Sequence, residues 1–95
     1  MQGSYETIMV LNTKLDEEAS QALVAKFTDM INAAGHVDTV DDWGKRRLAY
    51  EIEDETEGHY VLITFTADHE LIAELNRVYS ITDGLLRTMV VRKDK

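Results

Sequence analysis

With 95 residues, 44% hydrophobic side chains and no cysteine, the chain has material for one core and none for disulfides or thiolate chemistry. The composition excludes a disordered chain, and no apolar run approaches the roughly 20 residues that a membrane-spanning helix needs. Net charge is −8, which on its face opposes nucleic-acid binding because phosphate repels a negative body.

The charge is uneven. Residues 1–76 hold 5 basic and 16 acidic groups, whereas residues 77–95 hold Arg77, Arg87, Arg92, Lys93 and Lys95 against only Asp83 and Asp94. A molecule polarised in this way can touch RNA with one face and a basic protein with another. The plainer alternative is that the acidity keeps the protein soluble. The opening residues, Met1 to Glu6, carry no basic, apolar or cleavage-site pattern, so a soluble cytoplasmic protein is expected, with no membrane contact.

Tyr5 to Leu11 is rich in apolar and β-branched residues and predicts a strand. Its faces are Tyr5, Thr7, Met9 and Leu11 on one side and Glu6, Ile8 and Val10 on the other, which predicts a central strand covered on both sides. Asp16 is expected to cap a helix, with Glu17 and Glu18 in its favourable first turn. Ala19, Leu23, Phe27, Met30, Ile31 and Ala34 form its apolar stripe, and Gly35 is expected to end it in a left-handed conformation. An extended stretch follows from His36 to about Asp54, with a bulge or bend near Gly44 where alternation fails. Glu53 to Glu57, closed by Gly58, predicts a hairpin loop. His59 to Ala67 predicts a strand presenting Val61, Ile63 and Phe65 on one face. Asp68 is expected to cap a second helix, whose apolar side carries Leu71, Ile72, Leu75, Val78 and Tyr79. Thr82-Asp83-Gly84 is a turn, and Leu85 to Lys93 a last strand.

The order β-α-β-β-α-β predicts an α+β, ferredoxin-like domain spanning residues 1–95. Two right-handed crossovers interleave into a four-stranded antiparallel sheet with both helices on one face. The expected strand order is four, one, three, two, which makes the second and fourth strands the edges.

Little in the chain points to catalysis. His36, His59 and His69 match no metal-ligand spacing, and no cysteine can complete a site. The carboxylates fall mostly in helix first turns and the expected hairpin loop, where solvation is their ordinary state. No nucleophile elbow or glycine-rich phosphate loop occurs.

Two segments stand out. In Trp43-Gly44-Lys45-Arg46-Arg47-Leu48-Ala49-Tyr50, three cations lie between two aromatics in an acidic neighbourhood. Arginine grips phosphate bidentately and aromatics stack on bases. Equally, the segment reads as a charged edge strand whose arginines pair with Asp41, Asp42 or Glu51. Leu86 to Lys93 is a strand with basic residues at both ends, open to the same two readings.

Taken together, Tyr5-Glu6, Gly44 to Ile52, Gly58-His59-Tyr60 and Arg87-Thr88-Met89-Val90-Val91-Arg92 resemble the bacterial small-subunit ribosomal protein six (S-six) family, in its order and over essentially the whole chain. The resemblance implies a structural component of the small ribosomal subunit, with no enzyme activity, cofactor, metal or small-molecule substrate. Its implied partners are the central domain of 16S ribosomal RNA and the small basic ribosomal protein eighteen. By position, Tyr5, Arg46, Arg47, Arg87, Arg92 and Lys93 are the RNA candidates. The acidic hairpin and second strand, namely Trp43, Tyr50, Glu53, Asp54 and Glu55, are the candidates for the protein partner. Some family members carry a long charged C-terminal tail, and this chain ends at Lys95. The alternatives are an RNA-recognition module of the RRM type or a ferredoxin-like small-molecule-binding domain. The first lacks its basic-Gly-aromatic signature at Glu57-Gly58-His59-Tyr60, and nothing in the sequence marks a pocket for the second.

Overall fold

The structure, a computed structural model, describes residues 2–52 and 55–93. Its elements run β1 (Gln2–Asn12), α1 (Glu17–Ala34), β2 (Gly35–Ile52), β3 (Glu55–Asp68), α2 (Glu70–Ser80) and β4 (Leu85–Arg92). The sheet order is β2-β3-β1-β4 with every pairing antiparallel, which is the expected α+β topology. The edges are therefore β2 and β4.

Alternation along β1 and β3 decides where the core sits. Tyr5, Thr7, Met9 and Leu11 on β1 and Val61, Ile63, Phe65 and Ala67 on β3 are buried, because one face of each strand lies beneath the helices. α1 contributes Phe27 and Ile31, and α2 contributes Leu71, Leu75 and Tyr79. The Phe27 and Tyr79 rings meet at 4.6 Å between centroids, tying the two helices over the sheet. Tyr79 also reaches Thr7 Oγ1 at 2.9 Å, and Thr7 Oγ1 donates to the Met89 carbonyl at 3.1 Å. A threonine hydroxyl has one proton, and a carbonyl can only accept. Tyr79 is therefore the donor to Thr7, and the chain Tyr79–Thr7–Met89 links α2 through β1 to β4.

Several local expectations are corrected. β1 is central, and its two faces are covered unequally: the helices cover one, while on the helix-free face Val10 is buried and Glu6 and Ile8 are only half-buried. Ala34 is exposed, while Ser20 is buried under α1. Gly35 is not left-handed, with φ −165°. It already belongs to β2, and a Cβ there would lie 2.4 Å from the Thr66 carbonyl oxygen and 2.7 Å from Ala67 Cβ, so close backbone packing is what demands glycine. Asp16 does cap α1, accepting from Ala19 N–H at 2.7 Å. The N-cap of α2, however, is His69, which makes no side-chain cap bond, and Asp68 is the last residue of β3.

Of the expected loop from Glu53 to Glu57, Glu55 to Glu57 are strand, and Glu53 and Asp54 lie outside the described residues. Glu55 pairs with Ile52 and Glu57 with Arg47, an opposite-charge cross-strand neighbour that favours pairing over looping. Gly58 sits inside β3, where a Cβ would lie 2.3 Å from Val10 Cγ1. Its bare backbone lets the β2–β3 hairpin close onto the open face, and Leu48 and Val10 are buried there. The Thr82-Asp83-Gly84 turn is as expected. Gly84 has φ +92° and its carbonyl accepts from Asn12 N–H at 2.8 Å.

Candidate nucleic-acid and partner interface

Edge strand β2 breaks its register between Asp42 and Gly44. Gly44 has φ +76°, a conformation that costs a non-glycine residue of order 1 kcal/mol or more. The break turns the local carboxylates inward on the segment itself. Asp41 Oδ2 accepts from Trp43 Nε1 at 3.0 Å, and Asp42 Oδ1 accepts from Gly44 N–H at 2.8 Å and lies 2.6 Å from His59 Nε2. Partial burial pushes the Asp42 carboxyl up, but the bonds from His59 and Gly44 and the charge of His59 outweigh it, so Asp42 is held below its ordinary value. Trp43 stacks beside Tyr60, with centroids 6.2 Å apart and planes 11° off parallel. Trp43, Arg46 and Tyr60 border a hollow of about 410 Å³.

With Asp41 and Asp42 occupied in this way, the cations beside them are left uncompensated. Arg46 and Arg47 are exposed, and among the described residues neither guanidinium has an ion-pair or hydrogen-bond partner. Arg47 faces Glu57 in register without an ion pair. Of the two readings of this strand, the one that pairs its arginines with Asp41, Asp42 or Glu51 does not occur.

The other candidates fall into two groups. Arg87 on β4 lies opposite Val10, and its Nη1 donates to the Tyr50 hydroxyl at 2.8 Å. Register places Arg87, Met89 and Val91 on the helix-free face with Glu6, Ile8, Val10, Tyr60 and Leu62. Arg92 is opposite Tyr5 on the helix side, its Cζ 5.8 Å from the centre of the Tyr5 ring. Tyr5 is only 5% exposed and stacks on Phe65 at 5.6 Å, so it meets the surface as the floor beneath Arg92. Lys93 is exposed, and its N–H donates to the Ser4 carbonyl at 2.8 Å.

Among the candidates for a protein partner, Trp43 and Tyr50 are 40% and 60% exposed. Glu55 is paired to Lys14 at 3.0 Å. Glu53 and Asp54 lie outside the described residues. The open face thus gathers Trp43, Arg46, Tyr50 and Arg87, while Tyr5 and Arg92 sit on the opposite side. Tyr60 and His59 belong to the segment Gly58-His59-Tyr60 noted in the sequence, and neither they nor Asp42 were among the site candidates. Only the bulge at Gly44, which brings 17 positions of sequence separation down to one hydrogen bond, makes them part of the site.

A groove of about 360 Å³ runs between α1 and the β2–β3 ladder, walled by Val24, Val40 and Val61 with Asp42 and His59 at its rim. Among the described residues no cluster of three or more metal-ligating side chains occurs. No described helix is long and apolar enough to cross a membrane.

Against known proteins, the sequence profile of ribosomal protein S6 matches residues 4–92. Small ribosomal subunit protein bS6 of Clostridium perfringens is 54% identical over 92 residues, covering 96% of this chain and 97% of the relative. The bS6 protein of Clostridium botulinum is 53% identical over 91 residues, covering 95% and 97%. The crystal structure of 30S ribosomal protein S6 from Thermotoga maritima superposes with a TM-score of 0.92 at 29% identity, covering 98% of this chain and 89% of that one.

Proposed function

The chain belongs to the ribosomal protein S6 family, and on that premise we propose that it binds the central domain of 16S ribosomal RNA together with the small basic ribosomal protein eighteen. As a small-subunit ribosomal protein it is a cytoplasmic structural component of the bacterial ribosome, not an enzyme. The finer assignment rests chiefly on one observation: among the described residues Arg46 and Arg47 are exposed and make no ion pair or side-chain hydrogen bond, while the neighbouring acids are held by Trp43, Gly44 and His59. Free guanidiniums on a body of charge −8 represent a local reversal of sign, suited to phosphate.

Arg87, Arg92 and Lys93 extend the cationic border along β4, and Tyr5 underlies Arg92. The acidic remainder steers a cationic protein. Trp43, Tyr50 and the hairpin around Glu53, Asp54 and Glu55 offer that partner its contact, and the aliphatic stripe of Met89, Ile8 and Leu62, cross-strand neighbours in register, offers it an apolar surface. RNA titrations in the presence of the partner protein, over a series of salt concentrations, test the assignment. Replacing Arg46 and Arg47 together with alanine should weaken the complex and reduce its log–log salt slope by about 1.5, the share of two phosphate contacts. Unchanged affinity and slope would remove the pair from the RNA surface.

A further inference from the structure

Arginine donates and never accepts, so in the bond between Arg87 Nη1 and Tyr50 the phenol oxygen is the acceptor. The Tyr50 proton is therefore directed elsewhere, and among the described residues nothing accepts it. Arg87 likewise has no ion-pair partner among the described residues. Two adjacent groups thus present N–H and O–H donors to solvent, with the phenol polarised by the cation it bonds. The bond joins residues 37 apart in sequence, spanning from one edge strand to the other. It is held from below, where Leu48 is buried against the glycine gap at Gly58 and against Val10, which Arg87 faces in register.

We propose that the Tyr50 hydroxyl and the Arg87 guanidinium form one composite site for an RNA phosphate, Arg87 supplying charge and N–H donors and Tyr50 supplying an O–H donor. Tyr50 is also a positioning residue: the bond it accepts orders a side chain that would otherwise lose rotamer freedom on binding. The proposal rests on the RNA-binding role of Arg87, and it moves the Tyr50 hydroxyl from the protein partner's side to the RNA side.

The full chain, with ribosomal protein eighteen and a central-domain fragment of 16S ribosomal RNA, provides the test, as Kd over a potassium chloride series. Tyr50→Phe removes a donor but no charge, so Kd should rise about three- to tenfold with the salt slope unaltered. Arg87→Ala should weaken binding and reduce the slope by about one. Placed on the Arg87→Ala background, Tyr50→Phe should cost less than it does alone. A wild-type Kd for Tyr50→Phe, or the same cost on both backgrounds, would overturn the composite site while leaving Arg87 in place. A wild-type slope for Arg87→Ala would overturn both. Because the Tyr50 side chain is 60% exposed, Tyr50→Phe should unfold at the wild-type midpoint.

Discussion

Replacing Thr7 with valine keeps the shape of a fully buried side chain and deletes only its hydroxyl. The structure places that hydroxyl between the Tyr79 phenol at 2.9 Å and the Met89 carbonyl at 3.1 Å, with Thr7 fully buried and Tyr79 only 5% exposed. Valine leaves the Tyr79 O–H as a buried donor without an acceptor, which costs about 1–3 kcal/mol. For a domain of this size 1 kcal/mol lowers Tm by about 4–8 °C, so a fall on the order of 10 °C is expected. Tyr79→Phe removes the donor itself and leaves Thr7 its bond to Met89, a loss of about 0.5–1.5 kcal/mol. The double variant should then cost less than the two losses combined, because with both partners gone no orphaned phenol remains.

Urea unfolding of the four proteins closes this cycle, and pH supplies an independent readout. Burial pushes the Tyr79 phenol from 10.0 up to about 12. The folded state holds this proton more tightly than the unfolded chain does. The resulting stabilisation, about 3 kcal/mol at most, is complete below pH 10 and disappears as pH rises from 10.0 towards about 12. Tyr79→Phe should lack that part of the alkaline loss. Strictly additive losses in the cycle would refute the relay, and an alkaline limb identical in wild type and Tyr79→Phe would refute the burial-held phenol proton.

Alanine at the two close-approach glycines should have contrasting effects. Gly35→Ala drives a methyl against the Thr66 carbonyl and Ala67, backbone that cannot move aside, and should cost about 1–3 kcal/mol by urea unfolding. Gly58→Ala meets mainly Val10 Cγ1, a side-chain methyl, so adding Val10→Ala should recover part of its loss; no recovery would show that the hairpin is not seated on Val10. Asp42 is held below its ordinary value of 3.8 by His59 and Gly44, which outweigh its partial burial. Its stabilisation is present above that pH and fades as pH falls through the depressed folded value, so Asp42→Asn should flatten that part of the acid limb.

The residues that were legible in sequence are those whose role is set by neighbours along the chain. Asp16 caps α1 because its side chain reaches an N–H three residues on. Likewise Leu71, Leu75 and Tyr79 share a face because helical spacing puts them there, and the element order then confines the sheet to β2-β3-β1-β4. Arg46 and Arg47 were visible as charges, but not whether a neighbouring carboxylate held them. That turned on where Asp41 and Asp42 bond, which the bulge at Gly44 decides.

By itself, then, the amino-acid sequence determined the order of elements, the two apolar helix stripes, the position of the Gly44 break and the polarity of charge, since these depend on spacing and residue type. Only the tertiary structure decided that Gly35 and Gly58 are glycines of close approach, that Thr7 relays Tyr79 to β4, and that Tyr50 meets Arg87 across the sheet. Each of these is a contact between residues at least 30 positions apart. Their distances follow from strand register and sheet twist, which local preference does not encode.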